Sequence, residues 1–430
     1  MTDAKAMLSG YRVLDLSQFV AGPTCARIMG ELGADVIKVE MAPGGDRGRM
    51  SGMRPQDAAL RKSSASTYYF QHNHSKKSVA LDLKSDAGKA ILLDLVRVCD
   101  VLVENFSPGV MARMGLAWDD LRAINPGLVM CSISLAGQEG ILSDRPGFDY
   151  MGAAYAGVTA SIGEPDRAPG QLPIAIGDSA TGVAAAMAVG YALLHRERTG
   201  EGQHVESTLI DTYFHMHEVN IPKVSLAGAS VLPERSGSMH PDGGPTGVFR
   251  TPGGTAISIM VMPYQWPQFV DAIGLPDLAT DARYGTPKAR RDNKRTLADV
   301  IEDWLAGFAS REAAVEHLMK YRIPCAPILT LAEAMDHPHH IARGTVRTVH
   351  DRHIGDFKIP GMPARFSAWP QEQAPSAALL GEHNEEVLKT VLGKSESDIA
   401  ALYQSGVLIR DPLIAESEPS ALREEERAQG

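Results

Sequence analysis

Tyr11-Arg12-Val13-Leu14-Asp15-Leu16, then a segment opened by Gly22-Pro23 and running to Leu32, then Asp35-Val36-Ile37-Lys38-Val39-Glu40, decide the fold. The first run is apolar enough for a buried strand. The Gly-Pro pair starts a helix over Pro23–Leu32, and the Val- and Ile-rich third run reads as a second strand. A second unit of the same kind follows. Ser85 caps a helix whose Ile91, Leu92, Leu95, Val96 and Cys99 recur at helical spacing, and Asp100–Glu104 and Gly127–Ser134 read as strands. Strands alternating with helices predict an α/β fold, a doubly wound parallel sheet with helices on both faces. No G-x-G-x-x-G follows the first strand, so the usual dinucleotide fingerprint is missing.

Further along, Thr181–Arg196 reads as an Ala-rich helix, Gln203–Glu206 as a short strand, and a helix follows Ser207. From Pro222 to Gly247 clusters of Pro, Gly and Ser, including Pro241-Asp242-Gly243-Gly244-Pro245, read as loop and mark a boundary. Thr255–Met262 then reads as a strand, with Trp266–Ile273 and Leu297–Phe308 as helices, before a loop-like stretch at Pro324–Pro327. Leu380–Leu392 and Ser395–Gly406 look helical and return to the first domain. The expected organisation is a large domain from residues 1–221 and 345–412, and a smaller α+β domain with its linkers inserted at 222–344. An acidic, solvated tail at 413–430 carries Glu416, Glu418, Glu424, Glu425 and Glu426.

The 430 residues, 44% hydrophobic and 22% charged, suffice for two cores. A formal net charge of −10 argues against nucleic acid as a partner, since phosphate neutralisation needs a basic surface. The first ten residues lack the apolar core of a leader, and no uninterrupted apolar run reaches roughly 18 residues, so the expectation is a cytoplasmic protein with no membrane partner. Cys25, Cys99, Cys131 and Cys325 stand singly, without the spacing of a zinc site or a disulfide framework, and read as small core residues. No metal is expected.

The most informative segment for chemistry is Pro173-Ile174-Ala175-Ile176-Gly177-Asp178-Ser179-Ala180-Thr181-Gly182. An apolar stretch ends in Gly-Asp-Ser and a helix begins at once, which puts Asp178 where backbone amides and the helix dipole favour a carboxylate. Read locally, Asp178 is either an N-cap or a reactive group.

Several separated blocks, taken in order, resemble the class III CoA-transferases, the family of formyl-CoA transferase and carnitine CoA-transferase. They are Leu14-Asp15-Leu16-Ser17 with Ala21-Gly22-Pro23; Leu32-Gly33-Ala34-Asp35 through Glu40; and Ser78-Val79-Ala80-Leu81-Asp82-Leu83-Lys84. Val103-Glu104-Asn105-Phe106-Ser107-Pro108-Gly109, Arg145-Pro146-Gly147-Phe148-Asp149, Gly177-Asp178-Ser179 and Arg198-Thr199-Gly200-Glu201-Gly202-Gln203 continue the set. Ile323-Pro324-Cys325-Ala326-Pro327 and Leu380-Gly381-Glu382-His383-Asn384 complete it. The resemblance implies an acyl-CoA:carboxylate CoA-transferase with coenzyme A thioesters and small carboxylic acids as substrates, no permanent cofactor, and an interlocked homodimer. It puts Asp178 on the nucleophile and Asp149 on a supporting acid, and it assigns Val20, Leu81, Lys84, Asn105, Arg113 and Arg145 to holding CoA. Without it, Lys84 and Arg113 would read as solvated surface charge.

Two departures stand out. The basic residue that follows Glu40 in formyl-CoA transferase is Met41 here, so Arg47 or Arg49 is expected to compensate. The glycine loop that closes over the site in that enzyme has its nearest counterpart in Gly243-Gly244, beside His240, to which no catalytic role is given. Backbone amides at the start of the Thr181 helix and near Gly243 are expected to stabilise oxyanions. An α-methylacyl-CoA racemase shares the family, but its pattern has histidine where this chain has Phe148, which favours transfer. Intramolecular CoA transfer within a dicarboxylic acid would use the same Asp178, and a non-enzymatic acyl-CoA-binding protein would leave it dispensable.

Overall fold

Alternating apolar strands give the first unit a six-stranded, wholly parallel sheet of order β3-β2-β1-β4-β5-β6. The computed structural model describes residues 6–57, 60–241, 244–369 and 374–417. The strands are β1 (Arg12–Asp15), β2 (Asp35–Met41), β3 (Lys77–Leu81), β4 (Val101–Glu104), β5 (Val129–Ser134) and β6 (Gln203–Thr208). Between them run α1 (Ala21–Glu31), α2 (Thr67–Asn73), α3 (Asp86–Val98), α4 (Val110–Arg113), α5 (Trp118–Ile124), α6 (Asp149–Tyr155) and α7 (Ile176–Thr199). This is the doubly wound, N- and C-terminally assembled α/β domain read from the sequence, with a smaller α+β domain inserted.

Period-two alternation sorts each strand between two cores. Leu14, Ile37, Val79, Leu102 and Met130 face α3 and α5, where Val387, Leu388 and Ile399 of the C-terminal segment join them. Val13, Val36, Val101, Val103 and Cys131 face α1 and α7. Burying each such side chain stabilises the fold by about 1.5–3 kcal/mol. α7 is long and apolar enough to cross a membrane by length and composition. Here it lies on α1, so close that a Cβ at Gly182 would come 2.5 Å from the Ala21 carbonyl oxygen.

Ser85 does cap α3, its hydroxyl accepting from the Gly88 amide. α7 begins at Ile176, five residues before the expected Thr181, which places Asp178 inside the first turn. α8 (Leu209–His215) follows β6, capped by Thr208. The stretch read as loop from Pro222 instead contains α9 (Asn220–Ala227). Pro222 is its third residue, where the missing N–H costs nothing because first-turn amides have no intrahelical partner.

The second unit comprises residues 154–173 and 217–337, the rest belonging to the first. Segment 154–173 was expected in the large domain. It falls in the smaller unit because Arg235 donates to the carbonyls of Ala160, Glu164 and Pro165, the Gly237 amide donates to the Gly163 carbonyl, and His217 bonds the Ala156 carbonyl. An antiparallel sheet, β7 (Thr246–Thr251), β8 (Thr255–Met260) and β9 (Cys325–Pro327), carries Phe249, Ile257 and Ile259. They pack with Phe269, Leu297, Ile301 and Leu318 from the unit's helices. In the C-terminal segment of the first unit, β10 (Val346–Asp351) and β11 (Gly355–Pro360) form a hairpin. Of the expected tail, Glu416 lies in a short helix, Pro412–Ser417, while Glu418, Glu424, Glu425 and Glu426 lie outside the described residues, as do Asp242 and Gly243.

Candidate active site

The strand order reverses between β1 and β4, and open α/β sheets bind ligands at the carboxyl ends of the strands flanking that point. Here Asn105 bridges the two exits, donating from Nδ2 to the Gln18 carbonyl (2.8 Å) and accepting the Gln18 amide at Oδ1 (2.7 Å). Next to it Phe19 adopts a left-handed backbone, φ 66°, rare for a bulky residue. Its amide donates to Asp46 Oδ1 (3.1 Å), which also accepts the Gly48 amide, and this holds the strained turn. Val20, buried, stands immediately before the first residue of α1. A small cleft of about 10 Å³ opens here, lined by Gln18, Met41, Asp46, Leu83 and Phe106 among others. A cavity of about 520 Å³, lined by Glu31, Arg343, Arg347, Lys358 and Trp369 among others, contains none of the expected site residues.

A buried ionic layer supports this end of the sheet. Lys38 Nζ donates to the Ser17 carbonyl (2.6 Å) and lies 3.1 Å from Asp46 and 3.5 Å from Asp15. Lys76 Nζ reaches Asp15 at 2.8 Å. Arg49 grips Glu40 through two bonds of 2.6 and 2.7 Å, with its guanidinium 3.5 Å from the centre of the Tyr69 ring. Arg49 is therefore spent on the interior and does not take over from Met41 the role of a phosphate contact. Arg47 remains exposed.

Among the other expected CoA contacts, Leu81 is wholly buried, and its carbonyl accepts the Ala42 amide, so its side chain offers no surface to a ligand. Lys84 is exposed just beyond β3, and Arg113 is exposed at the end of α4, close enough to Gly109 that a Cβ there would lie 2.9 Å from Nη1. Arg145 is exposed, 3.8 Å from Asp144.

Asp149 and Asp178, 29 residues apart, are brought together. The Asp178 amide donates to Asp149 Oδ1 (3.1 Å), which also accepts the Tyr213 hydroxyl (2.9 Å), and the Gly177 amide donates to the Tyr213 oxygen (3.1 Å). A Cβ at residue 177 would stand 2.2 Å from Asp149 Oδ1 and 2.3 Å from Tyr213 Cε2, so only glycine fits. Burial first, and then the facing Asp149 charge, raise Asp178 to about 7. Among the described residues no cation forms an ion pair with Asp149 or Asp178. Burial, and then Asp178 and Asp46, push Tyr68 up to about 12. Phe148, 61% exposed, meets Phe19 edge to face at 6.0 Å.

The expected oxyanion role of the amides at this helix start does not fit their bonding. Ile176 N donates to Ile174 O and Ser179 N to Ala175 O, while the amides of Gly177 and Asp178 are taken as above. Tyr213, Phe19, Asp46 and Tyr68 were not read from the sequence. Each acts through a partner distant in the chain, and no local pattern marks them.

The sheet thus reverses at β1 and β4, and Asp149 at the start of α6 meets Asp178 on the first turn of α7. Residues 8–384 match the CoA-transferase family III, and the chain belongs to that family. It is 34% identical to the succinyl-CoA–D-citramalate CoA-transferase of Chloroflexus aurantiacus, over 93% of this chain and 98% of that one. It is 35% identical to the formyl-CoA:oxalate CoA-transferase of Streptomyces coelicolor, over 94% and 100%. Among solved structures, a CAIB/BAIF family protein from Brucella suis superposes with a TM-score of 0.77 at 30% identity, covering 89% of this chain and 98% of that one. The protein is an enzyme of the CoA-transferase kind, whose substrates are CoA thioesters.

Proposed function

We propose that the protein moves coenzyme A from a donor acyl-CoA to a second carboxylic acid through covalent intermediates on Asp178. The observation that carries this reading is a part-buried carboxylate on the first turn of α7, tied by its own amide to a second acid and left without a cation. A carboxylate poised near 7 is ionised in a useful fraction at neutral pH and is more nucleophilic than one held near its ordinary value.

In the first step an Asp178 oxygen attacks the thioester carbonyl, giving a mixed anhydride and CoA thiolate. The thiolate attacks the aspartyl carbonyl, releasing the donor acid and leaving an aspartyl-CoA thioester. The acceptor carboxylate attacks that thioester, re-forming an anhydride and thiolate. The thiolate then takes the acceptor acyl group and frees Asp178. Each intermediate keeps its acyl energy only while water is excluded. The names of the relatives support a small dicarboxylate chemistry, with succinyl-CoA as a donor to try first.

We also propose an interlocked homodimer in the cytoplasm. Val183, Met187, Tyr191 and Leu194 form an exposed apolar stripe along α7, which a partner would cover, and four free cysteines suit a reducing compartment. Sedimentation showing only monomer at micromolar concentration would contradict the dimer.

The central test is to incubate the enzyme with acyl-CoA alone, trap with hydroxylamine and map the modified peptide. The adduct is expected on Asp178, and Asp178→Asn should bind CoA while losing transfer by about three orders of magnitude or more. An adduct elsewhere, or near-normal transfer by the Asn variant, defeats the reading. A screen of donors against acceptor acids by mass spectrometry then identifies the substrates.

A further inference from the structure

The hydroxyl of Tyr213 is a polar atom in a buried side chain, 36 residues beyond Gly177, and both its hydrogen and a lone pair are used. We propose that Tyr213 is a positioning residue for the nucleophile, acting through Asp149 and the Gly177 amide; this rests on Asp178 being the nucleophile.

A phenol offers one donor and can accept. Tyr213 donates to Asp149 Oδ1 at 2.9 Å and accepts from Gly177 N at 3.1 Å, while the same Oδ1 accepts from Asp178 N at 3.1 Å. These three bonds close a ring through the first turn of α7. They satisfy two of the amides that a helix start leaves without partners, and they fix the peptide planes on either side of Asp178's neighbour Gly177. The direction of the Asp178 side chain follows from that backbone.

The tyrosine ring is itself held. It occupies the space a side chain at 177 would need, and a Cβ at Gly152 of α6 would lie 3.5 Å from Tyr213 Cδ2. α8, which carries it, is anchored at its start by Thr208, whose hydroxyl accepts the Asp211 amide and whose carbonyl accepts the Thr212 hydroxyl. Packing alone would be served equally by phenylalanine. The hydroxyl matters because it ties three backbone and side-chain groups together, and a misplacement of about 1 Å at an attacking oxygen costs about a hundredfold in rate.

The test uses the full-length enzyme with Tyr213→Phe, and a second version carrying 3-fluorotyrosine at 213, which keeps the hydroxyl. Tyr213→Phe should lower kcat about ten- to a hundredfold, leave KM for acyl-CoA within about twofold, and move the pH midpoint of kcat. The fluorotyrosine enzyme should recover most of the rate. Combining Tyr213→Phe with Asp149→Ala, which removes the shared acceptor, should cost at most about twofold beyond the worse single variant, because the two act through one ring of bonds. A Phe variant with a lower melting temperature but unchanged kcat and pH midpoint, or fully additive losses, overturns the proposal. If Asp178→Asn is inactive while Tyr213→Phe is unimpaired, this proposal alone fails; if Asp178→Asn still transfers CoA, the nucleophile reading falls and takes this one with it.

Discussion

Two groups of buried carboxylates in the same unit are treated in opposite ways. Beneath β1 to β3, Asp15 and Glu40 face Lys38, Lys76 and Arg49. Burial alone would raise both acids, yet the cations override it and bring each to about 2. On the first turn of α7, Asp178 is desolvated too, but it faces another acid and rises to about 7. Desolvation is common to both places, and the cation decides the outcome. Where one is supplied, the carboxylate is a fixed strut. Where it is withheld, the carboxylate keeps a proton equilibrium in the working pH range, as a reacting group needs.

The sharpest way to break this contrast is to remove a cation from the first group. Lys38→Met leaves buried Asp46 without its cation, takes one of two cations from Asp15, which keeps Lys76, and frees the Ser17 carbonyl. A loss of about 3–5 kcal/mol in unfolding free energy is expected, measured by denaturant titration at pH 7. A loss below about 1 kcal/mol would mean the layer is not the strut described.

The second group predicts the opposite sign. An acid raised from 3.8 to about 7 on folding binds more protons folded than unfolded, so its ionisation costs stability as pH climbs. The cost is absent below about 4, builds between the two values and is complete above 7. Asp178→Asn removes it, so the inactive variant should be more stable than the parent above pH 7. The gain is bounded at about 4 kcal/mol and fades toward pH 4. Melting curves of both proteins at pH 5 and 8 decide it. A variant less stable at pH 8 would show that Asp178 is held by favourable contacts.

Periodicity made the sheet and the position of the helix that carries Asp178 legible, because strand cores and a Gly-Asp-Ser helix start are local signals. Resemblance in sequence paired Asp149 with Asp178. What stayed illegible is what depends on distant partners. Arg49 looked like a free cation for a phosphate, but its guanidinium is committed to Glu40, nine residues away in sequence and one layer down. α9 was hidden by Pro222, whose position in a first turn a composition reading cannot see. Tyr213 sits on a short helix with nothing around it to mark its hydroxyl, and its meaning appears only when Gly177 and Asp149 come within bonding distance.

The finest test separates the two causes that raise Asp178. Asp149→Asn removes the facing charge, yet its amide oxygen still accepts from the Asp178 amide and the Tyr213 hydroxyl, so the geometry should persist. In the parent enzyme, kcat should rise with pH through a midpoint near 7 as Asp178 ionises. In the Asn variant the midpoint should fall, but by less than half of the way back to 3.8, since burial, the larger cause, remains. The variant should consequently lose less, relative to the parent, at pH 6 than at pH 8. A midpoint that does not move would show that Asp149's charge is not felt by Asp178. A loss of kcat equal at every pH would assign Asp149 a chemical step of its own, which its contacts with one amide and one phenol do not suggest.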